Sequence, residues 1–382
     1  MMGNWKTCTI GDLGTVVGGA TPSTKKAENY EGGTISWITP KDLAGFSGRF
    51  ISRGERNITE QGLRSCSTQI MPAHTVLFSS RAPIGYIAIA EKEVCTNQGF
   101  KSIVPNESTD YMFLYYLMKF NKDKIENLGS GTTFKEVSGS TMRGVEVSVP
   151  ESKEEQHQIA SVLSALDDKI EKNSAINENL LQQIEALFKE RFLSHDALPF
   201  GWKRMTLGDV SEMSAGGDKP KTISDQKTDT CQYPVYSNGI SDEGLYGFTT
   251  DYKISSESVT VSARGTIGFV CLRHIPYTPI VRLVTLVPRE SIISAKYLYL
   301  WLKSIQIHGT GTTQQQLTVP DFRKTEIIIP PEVDMREFTE TVNPLFHQVW
   351  SNQDENAKLA DVRDALLPRL MSGELDISSL DL

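Results

Sequence analysis

The sequence is written twice, and that repetition fixes the unit of folding before any local pattern is read. Trp5-Lys6 with Gly11-Asp12 returns as Trp202-Lys203 with Gly208-Asp209, offset by 197 residues. Arg81 and Gly85 return as Arg264 and Gly268, and Val104-Pro105 returns as Val287-Pro288, both offset by 183. GSGTT at 129–133 returns as GTGTT at 309–313, and Val147 to Pro150 returns as Ile327 to Pro330, offset by 180. An offset that shrinks in steps is what a few loop deletions between two copies of one module would leave. A period this long means two whole domains and excludes a solenoid of small stacked units. With 382 residues, each copy is long enough to bury its own core.

Each copy divides into a strand-rich front and a helical tail. Short β-branched or aromatic runs bounded by Gly, Pro, Ser and Asn predict strands at 35–38, 75–78, 85–89, 145–149, 259–261 and 325–329. Apolar residues at helical spacing predict one core helix per front, at 111–119 (YMFLYYLMK) and 295–303 (AKYLYLWLK).

The tails have a different pattern. From Glu154 to Phe192 there is no Gly or Pro, and Ile159, Leu163, Leu166, Ile170, Leu180, Ile184 and Leu187 step by fours and threes. That is the heptad seam of a coiled coil, with Asn173 and Asn177 in its two missing positions. Adding 179 to each number gives Phe338, Val342, Leu345, Val349, Asn352, Asn356, Leu359, Arg363 and Leu366. The second tail thus repeats the seam, asparagines included, and only Arg363 interrupts it. Recurrence at the same positions favours buried asparagines that select register over solvated ones. Antiparallel packing would set the middle of one helix against the middle of the other, where the four could hydrogen-bond to one another. Ser152 with Glu155 and Asp334 with Glu337 predict the helix starts, Gly373 predicts a stop, and Pro344 predicts a kink or local break. A helix of about forty residues is roughly 60 Å long, the dimension of a spacer.

The net charge of −8 is unevenly divided. Residues 1–150 carry 16 Lys+Arg against 14 Asp+Glu and residues 201–330 carry 14 against 12, whereas 151–200 carry 5 against 10 and 331–382 carry 4 against 11. Two mildly basic modules alternate with two acidic segments, which leaves room for a DNA-facing surface. The start MMGNWKTCTI lacks a basic stretch followed by an apolar run, and no segment approaches a membrane span, so a cytoplasmic location is expected. Cys8, Cys66, Cys95, Cys231 and Cys271 are scattered singly, as reduced structural thiols would be.

Signs of catalysis are few. The GSGTTF and GTGTTQ stretches lack the lysine of a phosphate-binding loop. The six histidines are isolated, and no Cys/His spacing suits zinc. Asn343-Pro344-Leu345-Phe346 lacks the second proline of the tetrapeptide used by amino-methyltransferases and falls on the helix seam. Neither a metal site nor a bound cofactor is expected.

What the modules do carry is hydrogen-bonding side chains in loops. In the first these are Thr21, Ser23, Lys25, Lys26, Thr39, Lys41, Arg81, Gln98, Lys101, Thr132, Thr133 and Lys135. In the second they are Lys219, Lys221, Ser237, Asn238, Arg264, Arg282, Thr312, Gln314, Gln315 and Gln316. Gln and Asn can pair bidentately with adenine and Arg or Lys with guanine, while Ser, Thr and Lys suit phosphates. Taken singly, each of them is better explained as a solvated loop residue, and Arg81 and Arg264 fit a structural role in a Gly-rich turn equally well.

Two divergent front modules alternate with two related helices; the first helix opens with Pro150, Glu155-Gln156 and Ile159-Ala160, and a later segment reads LLPRLMSGEL at 366–375. This ordered set resembles the DNA-specificity subunit of Type I restriction-modification systems. The resemblance implies an α+β chain of two strand-rich target recognition domains, 1–150 and 196–331. Two long helical segments, 151–195 and 332–382, would join them as an antiparallel coiled coil. It implies a non-catalytic reader of a bipartite, asymmetric double-stranded DNA target. It also implies two modification (methyltransferase) subunits as partners, joined by restriction subunits in a full system, with S-adenosylmethionine and ATP used on those partners. Changing the helix length would alter the spacer between the half-sites. Two other readings stay open on the residues alone: a methyltransferase or nuclease with a cryptic site, and a coiled-coil adaptor that binds only protein.

Overall fold

The first module begins on β1 (Trp5–Thr9), a one-turn helix α1 (Ile10–Leu13) and β2 (Gly14–Gly18). There follow β3 (Ile35–Ile38), α2 (Pro40–Leu43), β4 (Phe50–Ile51), β5 (Arg56–Ile58), α3 (Glu60–Arg64), β6 (Val76–Phe78), β7 (Ile87–Ala90), β8 (Cys95–Thr96) and β9 (Lys101–Pro105). Then come α4 (Tyr111–Phe120), α5 (Lys122–Asn127), α6 (Gly139–Arg143) and β10 (Glu146–Pro150), after which the long helix α7 (Lys153–Phe188) leaves the module. The second module runs β11 (Lys203–Thr206), α8 (Leu207–Val210), β12 (Ser211–Ala215), β13 (Tyr233–Tyr236), β14 (Leu245–Thr249), β15 (Ser258–Val261), β16 (Val270–Arg273), β17 (Thr278–Pro279) and β18 (Val284–Pro288). It ends with α9 (Ala295–Ser304), α10 (Val319–Phe322) and β19 (Glu326–Ile329), and then the second long helix α11 (Glu332–Met371). The structure, a computed structural model, describes residues 4–81, 83–131, 135–195, 197–309 and 316–376.

The sequence repeat is a repeat of contacts. β1 pairs antiparallel with β10, Trp5 opposite Pro150, and β11 pairs antiparallel with β19, Lys203 opposite Ile329. The Gly-Asp dipeptides that mark both copies close the next turn. The Asp12 carboxylate accepts from the Thr9 amide and hydroxyl at 2.8 and 2.7 Å, and Asp209 does the same for Thr206 at 2.9 and 2.7 Å. Each carboxylate thus satisfies a backbone donor that the start of a helix leaves unpaired. Gly11 and Gly208 allow a close approach: a Cβ there would lie 3.2 Å from the Arg143 carbonyl and 3.1 Å from the Arg323 Nε.

Beyond these ribbons each module has a larger sheet and a smaller three-stranded one. The larger sheets are ordered β2-β9-β6-β7-β4 and β12-β18-β15-β16; the smaller are β5-β3-β8 and β14-β13-β17, each with one parallel pair. Strand 35–38 falls where the β-branched run predicts it and strand 326–329 starts one residue late, while α4 and α9 extend the expected core helices by one residue. The modules carry more helix than the one apiece expected, because short turns capped by Thr39, Thr59, Ser138 and Thr318 leave too few residues for a periodic signal.

Two compact units result: residues Met1–Ala175 with Asn352–Leu382, and Ile176–Ser351. In the first, Phe113, Leu114, Tyr116 and Leu117 of α4 share a core with Val76, Phe78 and Ile103 of the sheet, Ile159 and Leu163 of α7, and Leu370 and Met371 of α11. In the second, Tyr297, Leu298 and Trp301 of α9 share a core with Val259, Val261 and Leu286, with Phe188 of α7, and with Phe338, Val342 and Phe346 of α11. The long helices are therefore part of each module's core, which is what holds helices of low intrinsic apolarity in place.

Within each unit the helices run antiparallel. In the first, Arg363 meets Asp167 at 2.7 Å and Asn173 donates to Asn356 Oδ1 at 2.9 Å and to Glu355 at 2.7 Å. In the second, Asn177 donates to the Val349 carbonyl at 3.1 Å, and Arg191 pairs with Asp334 at 3.3 Å and Glu337 at 2.8 Å. Asn173, Asn177 and Asn352 are buried and Asn356 is half-buried. The expected contact is direct between Asn173 and Asn356, and Asn177 bonds the Val349 carbonyl.

Three expectations for the helices are corrected. Leu187 is 37 % exposed, and Phe188 takes its seam place because a straight helix drifts against a strict 3.5-residue repeat. Phe188 and Phe192 pack at a tilt, their ring centroids 5.3 Å apart, and both pack edge-on to Tyr297 and Phe338, with a π turn over 189–193 between helix and loop. The second helix starts at Glu332, so Asp334 lies in its first turn and is not the cap. It also runs unbroken through Pro344, so there is no local break there. The starts and stops at Ser152, which accepts from the Glu155 amide at 3.5 Å, and at Gly373, with φ 75°, are as expected.

Candidate nucleic-acid interface

In the first module five loops are tied into one surface by backbone hydrogen bonds. Ala20 donates to Thr96 O at 3.1 Å, Asn97 to Ile38 O at 3.0 Å, Ser80 to Gly99 O at 2.7 Å and Val137 to Ser80 O at 2.9 Å. Gly19 makes the first approach possible, since a Cβ there would lie 2.2 Å from the Thr96 and Asn97 carbonyls. The Trp37 indole locks the same loop by donating to Ala20 O at 3.1 Å. Of the predicted residues, Thr21, Gln98, Thr39, Arg81 and Lys101 sit on or beside this surface.

Their side chains are not equally available. Thr21 donates to Gln98. Thr39 caps α2, its amide and hydroxyl both on Asp42 at 2.7 Å, so its hydroxyl serves the fold. Arg81 pairs with Glu136 at 3.0 Å, and Lys101 reaches the same carboxylate at 3.5 Å. Lys41 pairs with Glu55 at 2.8 Å in solvent, where such pairs contribute little. Ser23 offers its carbonyl to Asn29 at 3.0 Å and to Lys26 at 3.3 Å, which turns the chain and leaves the side chains of Lys25 and Lys26 exposed. Lys135 is exposed, and Thr132 and Thr133 lie outside the described residues.

The second module builds the same kind of surface from other residues. Gly216 donates to Leu283 O at 2.8 Å, Val281 to Gly217 O at 2.9 Å, and Leu317 to Ala263 O at 3.0 Å. Asn238 is the clamp: it donates to Val281 O at 2.8 Å and accepts from the Ala263 amide at 2.7 Å, so its amide is used in shaping the loops. Val281 and Arg282 have φ of 52° and 61°, a left-handed conformation unusual for such side chains, held by those bonds with Arg282 exposed. Arg264 donates to Gln316 at 3.0 Å. Lys219 lies 4.1 Å over the Tyr246 ring and Lys221 is exposed. Ser237 closes its turn by donating its backbone amide to Gly244 O at 2.8 Å. Thr312, Gln314 and Gln315 lie outside the described residues. Sequence reasoning missed Glu136 and the Tyr246 platform. An acidic residue in a basic loop points away from DNA until its cationic neighbours are placed.

Among the described residues no group of three or more His, Cys, Asp or Glu side chains is placed to hold a metal. No helix among them is long and apolar enough to cross a membrane.

One loop frame built twice, rimmed with different polar side chains and sharing its cores with the same pair of antiparallel helices, defines a duplicated recognition protein. The model of the Type I restriction modification DNA specificity domain matches residues 2–186 and 199–358, and the chain belongs to that family, in which catalysis lies on other subunits. The chain is 36 % identical to the Type I restriction enzyme MjaIX specificity subunit of Methanocaldococcus jannaschii, over 99 % of this chain and 95 % of that protein. It is 23 % identical to the HindI specificity subunit of Haemophilus influenzae over 72 % of this chain and 76 % of that one. The fold matches the crystal structure of a Type I restriction-modification S subunit from M. genitalium with a TM-score of 0.63 at 19 % identity, covering 97 % of this chain and 96 % of that one.

Proposed function

We propose that this chain, a DNA-specificity subunit, reads a split and asymmetric double-stranded target, one half-site per module. The observation that carries this is the contrast between frame and rim: the backbone bonds joining residues 80 and 137 recur between 263 and 317, while the side chains there differ. Equal frames dock alike; unequal rims read different bases. Methylation with S-adenosylmethionine and ATP-driven cleavage are assigned to partner subunits, two of them modification subunits, in the cytoplasm. Lys25, Lys26, Lys135, Lys221 and Arg282, exposed in or beside the loops, suit phosphates or base edges and would make binding fall steeply with salt.

Sequencing the methylated sites of cells that carry the modification subunits, with and without this chain, tests the reading. Two unlike short elements flanking a spacer are expected. A contiguous palindromic target, or methylation that does not depend on the chain, refutes it.

A further inference from the structure

We propose that Arg81 and Arg264 are equivalent guanine-reading residues, each presented to the DNA by an acceptor that follows the repeated GSGTT or GTGTT stretch: Glu136 in the first module and Gln316 in the second. The proposal rests on the split-target reading and deepens it.

The equivalence is structural before it is chemical. Arg81 and Glu136 face each other in a backbone bridge, and the next residues bond through Val137 N to Ser80 O at 2.9 Å. Leu317 N bonds to Ala263 O at 3.0 Å in the same relation to Arg264 and Gln316. In the first module the Arg81 Nε lies 3.0 Å from Glu136 Oε2; in the second, Arg264 Nη2 donates to Gln316 Oε1 at 3.0 Å. Each acceptor engages part of the planar guanidinium, and both arginines are exposed with further N–H donors in the fork.

Local charge explains why one acceptor is a carboxylate and the other an amide. Lys101 sits opposite Gly18 on β9 and also reaches Glu136, at 3.5 Å. The same strand position in the second module, opposite Ala215 on β18, is Val284. Arginine, lysine and glutamate in one module, and arginine with glutamine in the other, each leave one net positive charge. A carboxylate beside DNA phosphates would be repelled, and a phosphate contact needs no fixed plane. A held guanidinium offering two parallel donors instead matches O6 and N7 of guanine in the major groove. Glu136 and Gln316 are positioning residues; the arginines make the contact.

The test uses the full chain expressed with its modification subunits, read by methylated-site sequencing. The wild-type target should hold a G·C pair in each half-site. Arg81→Lys keeps the charge but not the fork, and should relax that one position in the first half-site by roughly 10- to 100-fold in preference, leaving the second half-site unchanged. Arg264→Lys should do the converse. Glu136→Ala should relax the same position as Arg81→Lys, whereas Glu136→Gln should retain it, since an amide holds Arg264. Even weakening of methylation with an unaltered motif in both lysine variants would make the arginines phosphate contacts and overturn the proposal. Indistinguishable Glu136→Ala and Glu136→Gln motifs would remove the positioning role. A wild-type complex with no sequence preference would instead sink the proposed function itself, and thermal melting of each variant separates misfolding from misreading.

Discussion

The one charged residue in the helical seam gives the sharpest energetic test. Arg363 is largely buried and donates to Asp167 Oδ1 at 2.7 Å; the other oxygen of Asp167 accepts from the Tyr116 hydroxyl at 2.6 Å. Asp167 itself is buried, its side chain 7 % exposed. Removing the guanidinium leaves a buried carboxylate with one neutral partner, and breaking a buried pair from one side costs about 3–5 kcal/mol. Arg363 is not sealed from water, which places the expected loss for Arg363→Ile near 3 kcal/mol. In a unit of this size that corresponds to a melting temperature lower by roughly 6–12 °C.

The same helix positions in the second unit, 179 residues away, are Ile184 and Phe346, both buried in its core. A chain with Asp167→Phe, Arg363→Ile and Tyr116→Phe therefore copies an apolar solution the protein already uses. It should be more stable than Arg363→Ile alone, because no charge is left stranded. Urea and thermal unfolding, followed by tyrosine and tryptophan fluorescence, report both values. A loss under about 1 kcal/mol for Arg363→Ile, or a triple variant no better than the single one, would refute the reasoning.

Other outcomes follow from the same contacts. Thr39→Ala should cost about 1 kcal/mol through the lost helix cap and leave the methylated motif unchanged; a changed motif would return Thr39 to the reading surface. Asn173→Leu should cost about 1–3 kcal/mol by depriving Asn356 and Glu355 of a donor, and Asn173→Leu with Asn356→Leu should recover stability while loosening register, seen as mixed species by size-exclusion chromatography. Hydrogen bonds from Asn173 and Lys169 hold the Glu355 carboxyl below its ordinary value of 4.5. Its contribution is thus fully present above the ordinary value of 4.5 and is lost as pH falls from 4.5 through the lowered folded value. Glu355→Gln should flatten the acid limb of the stability profile, and an unchanged limb would contradict the assignment.

Much of the fold was legible because the chain repeats and because the helices are long. Strand 35–38 follows from its β-branched run between turn residues, and the core helices at 111 and 295 from apolar residues at helical spacing. The seam was legible to Ile184 and then failed at Leu187, where an aromatic cluster outcompetes the heptad. Of the candidate site, the surface was legible and the roles were not. Thr39, Asn238 and Arg81 read alike as polar loop residues, yet one caps a helix, one clamps two loops and one pairs with an acid; only tertiary distance separates these uses. Asp167 was hidden for the same reason: its partners, Tyr116 and Arg363, lie 51 and 196 residues away.

The uneven way the two units draw on the chain has a consequence in time. The second unit, Ile176–Ser351, is continuous, so everything its core needs has been synthesised by residue 351. The first unit is interrupted: its core includes Leu370 and Met371 of α11, and Trp5 packs against that same cluster. At about 5–20 residues per second, the N-terminal module waits on the order of 10–40 s for that last piece. A ribosome thus finishes the second-encoded reader first, and during the interval the first exposes the apolar surface that α11 will cover. That surface is where a chaperone would bind and where a chain cut short between residues 351 and 370 would aggregate.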